Sequence, residues 1–266
     1  MTATHTIGIN LPYGKGTTAF VSLKPATKIV IFVHGFFGKA QKTWKDIPKR
    51  IQGNSSFEKV DIVFFGYIST RQSLVSSREL HALLSNVLGR ETGLRDLINE
   101  GHRGNGHYEE IVLVCHSLGA VVARRMLLDA AHENLAWLNH IKLLLFAPAH
   151  RGCDLVTLLM TCLPGVVKII GLLTQYHWPV LRELSPGSPA LNDLERDTLA
   201  RIASNEPTNI AVAHEVIWAE LEKVVIPGQF CDDPAARIAQ QRDHITVCKM
   251  TDQYELALQR VTAALN

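Results

Sequence analysis

The stretch Ile111-Val-Leu-Val-Cys-His-Ser-Leu-Gly-Ala-Val-Val-Ala-Arg124 decides the reading of this chain. Its first four residues form an uninterrupted apolar run, as in a strand buried on both faces. A helical pattern begins at Leu118, and a single serine, Ser117, stands at the joint. A sharp strand-to-helix turn lifts a serine hydroxyl clear of the sheet, and the free N–H groups of the new helix favour negative charge beside it. The pentapeptide Cys115-His116-Ser117-Leu118-Gly119 matches G-x-S-x-G except at Cys115, which stands where glycine is usual. Strand and helix must approach closely there. Cysteine, only modestly larger than alanine, strains the turn without forbidding it.

Upstream, Lys28-Ile-Val-Ile-Phe-Val-His-Gly-Phe-Phe-Gly38 is a second apolar run, ending in His34-Gly35. A glycine after such a strand lets the backbone turn so that the N–H of Phe36 points at a developing oxyanion. The N–H of Leu118, just past the serine, supplies the second donor. A serine nucleophile also needs a base, which follows it in chain order in folds of this kind. Twelve histidines compete. His214 lies in an apolar run, and His132, His140 and His177 have no carboxylate logic around them. His244, in Arg242-Asp-His-Ile-Thr-Val-Cys-Lys249, sits on a loop before the last amphipathic helix and is the expected base. The acid that orients it is expected after the strand Asn209–Trp218. Glu222 is favoured there, Glu220 has the same parity in an extended segment, and Asp154 is a third candidate.

Further segments complete a family pattern: Phe146-Ala-Pro-Ala-His-Arg-Gly-Cys-Asp154, Leu184-Ser-Pro-Gly-Ser-Pro-Ala-Leu191 and Asp243-His-Ile-Thr-Val-Cys-Lys249. With Val33-His34-Gly35-Phe36 and the serine turn, they resemble the α/β-hydrolases of the lipase and serine-esterase kind. The nearest branch includes the GPI inositol-deacylase-like and serine-active-site-containing esterases. The chain departs from that pattern at Cys115, at Ala147 and Ala149 in what is otherwise a Gly-Thr-Pro-His run, and in carrying Glu where many relatives carry Asp. No reacting group is lost. The resemblance implies a serine hydrolase that cleaves carboxylic esters through a Ser117–His244–acid triad and an acyl-enzyme, without cofactor or metal. A thioesterase, amidase or acyltransferase on the same scaffold is the alternative, as is a hydrolase-like binding protein without catalysis.

Composition agrees. A chain of 266 residues, 47% hydrophobic, suits a single α/β domain. The net charge of +2 provides no field for nucleic acid, and five cysteines without C-x-x-C spacing suggest neither a disulfide framework nor zinc. The N-terminus shows no secretory pattern, so a reducing, cytoplasmic setting is the expectation. Strands are expected over Thr18–Leu23, Lys28–Val33, Val60–Phe65, Ile111–Val114, Lys142–Phe146 and Ile210–Trp218. Helices are expected over Lys45–Ile51, Ser77–Leu88, Gly119–Ala131, Leu191–Ala203 and Gln253–Leu265. The alternation predicts a mostly parallel sheet covered by helices on both faces. Between Leu155 and Leu173 Lys168 is the only charge, and Pro164-Gly165 interrupts the run. Residues 155–190 are therefore expected to form a helical lid inserted after the sixth strand, lining an acyl pocket or meeting a lipid surface. A buried helical hairpin is the competing reading.

Overall fold

The computed structural model describes residues 4–88, 94, 108–133, 135–162, 178–204, 210 and 212–266. Eight strands form one sheet: β1 (Ile9–Asn10), β2 (Thr18–Phe20), β3 (Lys28–Val33), β4 (Val60–Phe65), β5 (Glu110–His116), β6 (Ile141–Phe146), β7 (Glu215–Ala219) and β8 (Arg237–Ala239). Their order across the sheet is β1-β2-β4-β3-β5-β6-β7-β8, with the β1–β2 and β2–β4 pairings antiparallel and the other pairings parallel. The central four strands are apolar along almost their whole length, as burial on both faces requires. Lys28, Glu110 and Lys142 lie at the strand starts and His116 at the end of β5, and one polar side chain, that of Asp61, is buried near the start of β4. Its buried carboxylate accepts from the Ser22 N–H at 2.9 Å and the Tyr108 hydroxyl at 2.7 Å.

The described helices are α1 (Ile47–Ile51), α2 (Ser73–Leu88), α3 (Leu118–Ala131), α4 (Leu155–Cys162), α5 (Pro179–Glu183), α6 (Pro189–Ala203) and α7 (Leu256–Ala264). Helices α2 and α6 pack on α3, which lies against β3 and β5, and α7 packs on β5 and β6. The chain steps from β3 outward to β4, then back across β3 to β5. Right-handed crossovers put the helices of these opposite steps on opposite faces. The reversal also opens a crevice at the carboxyl ends of β3 and β5, where open α/β sheets bind ligands. His34-Gly35-Phe36 and Ser117 emerge at that crevice.

Several boundaries differ from the sequence reading for local reasons. The last long strand starts at Glu215, not Ile210, because the Ala213 N–H is taken by Asp233 at 2.7 Å. Helix α2 starts four residues early because Glu183 accepts the Ser73 N–H at 2.7 Å. The C-terminal helix starts at Leu256, since Thr251 and Tyr254 exchange backbone hydrogen bonds, both 3.0 Å, in a tight bridge. Within 155–190, α4, α5 and the start of α6 are described, and the span 163–177 lies outside the described residues. Among the described residues, no helix is long and apolar enough to cross a membrane.

One buried ion pair ties the sheet's far half to the helix behind Ser117. Arg124 of α3 is fully buried, donates to Asp233 at 2.6 Å and to His150 Nε2 at 3.3 Å, and lies over the Phe230 ring at 4.8 Å. Removing one partner of such a pair strands the other charge. Arg124→Met is expected to lower unfolding free energy by about 3–5 kcal/mol, read as a shifted urea midpoint. A loss below about 1 kcal/mol, the value of an exposed pair, would contradict this.

Candidate active site

Ser117 closes β5 and caps α3 with φ 53° and ψ −121°, a region that side chains other than glycine rarely occupy. Such backbone costs about 1–3 kcal/mol and is held by its surroundings. Here the Ser117 N–H donates to the Phe146 carbonyl at 3.0 Å, and its own carbonyl accepts from Ala120 and Ala149 at 3.0 and 3.3 Å. Gly119 allows the packing of helix on strand: a Cβ there would stand 2.4 Å from the Val33 carbonyl oxygen. Cys115, the departure from G-x-S-x-G, lies within β5 in register with Val33 and Leu145 and is fully buried. The strain therefore falls on Ser117. Burial pushes the Cys115 thiol far above its usual range, so it stays protonated.

The loop after β3 is set by His34. Its Nδ1 lies 2.8 Å from the Gly35 carbonyl oxygen and its Nε2 accepts from the Tyr67 N–H at 3.4 Å, a pair of bonds that requires the proton on Nδ1. The Tyr67 ring stacks on the imidazole at 4.3 Å, and its hydroxyl donates to the His34 carbonyl at 2.6 Å. The Gly35 carbonyl also accepts from Gly38 at 3.0 Å. In a trans peptide this pins the Phe36 N–H in the opposite direction. A Cβ on Gly35 would meet the Ser117 Cβ at 2.8 Å, so only glycine brings this loop so near the serine. Among the described residues neither the Phe36 nor the Leu118 N–H has an acceptor. The latter is free because it belongs to the first turn of α3.

His244 and Glu222 arrive from the ends of β8 and β7. The turn holding His244 is fastened by Asp243, whose Oδ1 accepts the N–H groups of Ile245 and Thr246 at 3.0 and 2.8 Å. His244 Nε2 lies 3.0 Å from Ser117 Oγ and its Nδ1 lies 3.1 Å from Glu222 Oε2, with imidazole and carboxylate almost wholly buried. Glu222 Oε1 accepts from the Val224 and Val225 N–H groups at 2.8 and 3.1 Å, which fixes the carboxylate. Two other candidates stand apart. Glu220 is exposed and its Oε2 accepts the Gln241 N–H at 2.7 Å; Asp154 caps the start of α4 through the Thr157 N–H at 2.9 Å. Neither carboxylate meets His244.

The sequence reading gave His116 no task. Its Nε2 lies 2.8 Å from the His244 carbonyl oxygen and its ring 4.9 Å from that of His244. A neutral His116 donating from Nε2 thus holds the backbone that carries His244. Burial, and then the neighbouring His244, keep the His116 pKa well below the usual range. Its position inside the serine turn was the one signal that pointed to it.

The buried histidines also set an acid limit. Burial lowers His34 from 6.5 to about 4, so it is neutral when folded but charges near 6.5 once unfolded. Its contribution is complete above about pH 6.5 and is lost as pH falls toward 4, amounting to ~3 kcal/mol. His116 and His150, both lowered by burial, act in the same direction. The urea midpoint is expected to fall steadily from pH 7 to 5. A midpoint flat over that range would show that these rings protonate without cost.

The sheet order and the serine turn define the class of fold: it is that of the α/β-hydrolases. Residues 24–149 match the family described as "Putative serine esterase (DUF676)". The Danio rerio "Protein SERAC1" is 25% identical over 91% of this chain, which spans 40% of that relative's length. The peroxisomal α/β-hydrolase Lpx1 of Saccharomyces cerevisiae superposes with TM-score 0.58 over 99% of this chain and 87% of its own, at 10% identity. The metagenomic α/β-hydrolase MGS-MChE2, from lagoon sediments of Mar Chica in Morocco, gives TM-score 0.55 over 96% and 98% of the two chains, at 12% identity. At such identities the structural likeness concerns the fold.

Proposed function

We propose that this chain hydrolyses carboxylic esters through Ser117, His244 and Glu222. The observation that carries the reading is the continuous chain of contacts from Ser117 Oγ to His244 Nε2 at 3.0 Å and from His244 Nδ1 to Glu222 Oε2 at 3.1 Å. The family description over residues 24–149 supports an ester as the bond attacked. His244 Nε2 takes the Ser117 proton as Oγ bonds to the ester carbon, and the carbonyl π pair moves onto oxygen. The Phe36 and Leu118 N–H groups stabilise that oxyanion, each worth about 3 kcal/mol of barrier. Glu222 keeps the proton of His244 on Nδ1 and stabilises the imidazolium. Collapse breaks the bond to the alcohol oxygen, which takes the proton from Nε2. Water then repeats the sequence on the acyl-enzyme and releases the acid.

In the same reading, the described parts of 155–190 act as a lid. The Trp178 ring lies 5.9 Å from Phe36 and 5.3 Å from Phe37, at the loop that supplies the first oxyanion donor. On α4, Val156 and Met160 are exposed, which suits contact with an acyl chain or lipid surface. The test is covalent: a fluorophosphonate probe is expected to label Ser117 alone, with p-nitrophenyl butyrate as competitor. Matched ester, thioester and amide substrates then rank the bond cleaved. An unlabelled chain that releases no p-nitrophenol would refute the proposal.

A further inference from the structure

Two cavities open on either side of the loop after β3. The smaller, about 320 Å³, lies against Gly35, Phe36 and His116 beside the serine turn. The larger, about 630 Å³, runs from His34, Phe37 and Tyr67 past Ser69 to Lys15. Lys39 and Lys42 border both, Lys15 lines the larger and Lys249 the smaller, and the described residues lining them include no aspartate or glutamate. The chain as a whole is nearly balanced, with 27 Lys and Arg against 25 Asp and Glu. Of the other described lysines, Lys24 pairs with Glu58, and Lys28 and Lys142 with Glu110, whereas Lys45, Lys49, Lys59 and Lys223 make no ion pair with a described residue. The four at these cavities make no ion pair with a described residue.

Clustered like charges repel, and a cleft lined by one sign of charge concentrates the opposite ion. Lys249 brings the same sign of charge to the smaller cavity, which His116 also lines. A neutral donor is also ready. Ser69 Oγ accepts the Phe37 N–H at 2.9 Å, which leaves its own proton free to donate. Three ammonium groups around the larger cavity exceed the charge of a single carboxylate and match a dianion better.

We propose that the ester cleaved at Ser117 belongs to a substrate that also carries a phosphomonoester, seated among Lys15, Lys39 and Lys42 with Ser69 as donor. This rests on the reading of Ser117 as nucleophile. Lys39 and Lys42, between the two cavities, are then the residues that select for charge.

The test compares kcat/KM for 1-butyrylglycerol and 1-butyrylglycerol 3-phosphate on the full chain at low ionic strength. The phosphate ester is expected to be preferred at least about tenfold, and the preference to shrink toward unity in added salt and in the Lys39→Gln/Lys42→Gln variant. Equal kcat/KM, or a preference that the double substitution leaves untouched, overturns the proposal. Inorganic phosphate titrated by NMR into Ser117→Ala reads the anion site without turnover. It is expected to bind, and to bind more weakly once Lys39 and Lys42 are also replaced; absence of binding overturns the site. Phosphate that binds yet fails to compete with the phosphate ester marks a site for the free ion and also overturns it. Failure of fluorophosphonate to label Ser117 counts against the nucleophile, separately from the binding result.

Discussion

Ser117→Ala is expected to lower p-nitrophenyl butyrate turnover roughly a million-fold, the loss seen when a serine nucleophile acting in concert with its base is deleted. The oxyanion donors and the binding surface survive the change, so a residual rate above that in water is expected. Stability provides the control. Alanine and serine bear the same strain at φ 53°, so the urea midpoint of Ser117→Ala should stay near that of the parent. Ser117→Gly should be equally inactive yet more stable by about 1 kcal/mol, because glycine enters this region freely but costs more entropy on folding. Turnover within tenfold of the parent in either variant would remove Ser117 from the chemistry. A Ser117→Gly chain no more stable than Ser117→Ala would mean the turn is not strained.

The central sheet was legible because burial on both faces writes itself as continuous apolar sequence. Residues Lys28–Val33 and Val60–Phe65 are strands with the expected bounds. Strands β1 and β8, two and three residues long, are too short for any periodicity to register. Yet β8 leads to the loop that carries His244, so this candidate base was chosen from its local sequence and chain order, and the structure places it 3.0 Å from Ser117 Oγ. The choice between the candidate acids shows where sequence reasoning stops. Glu220 and Glu222 share a parity only if the chain stays extended, and it does not: the Glu222 N–H turns back to the Ala219 carbonyl at 3.3 Å. That turn directs Glu220 toward Gln241 and returns Glu222 beneath His244. Arg124 was invisible for a related reason. A charged residue in a helix gives no local sign of a buried partner at Asp233, 109 positions away. His116 likewise acts on a backbone carbonyl 128 positions away.

Glu222→Gln is expected to lower kcat by about 10^3- to 10^4-fold with little change in fold. The amide oxygen can still accept from Val224 and Val225, whose N–H groups lie 2.8 and 3.1 Å from Oε1. Its NH2 group then faces His244 Nδ1, where Glu222 Oε2 stood at 3.1 Å. A donor there favours the tautomer with the proton on Nε2, and that nitrogen can no longer accept from Ser117. Alanine at 222 is a harsher change, because it also strands the two N–H groups. Glu222→Ala should therefore lose stability as well as rate, by about 1–3 kcal/mol for each donor left buried and unpaired. Glu220→Gln, on an exposed carboxylate away from His244, should keep kcat within about twofold, since substitutions at such surface positions rarely matter. Reversal of that order, with Glu220→Gln the slower enzyme, would move the acid to the neighbouring position and leave the contact at Glu222 without a catalytic role.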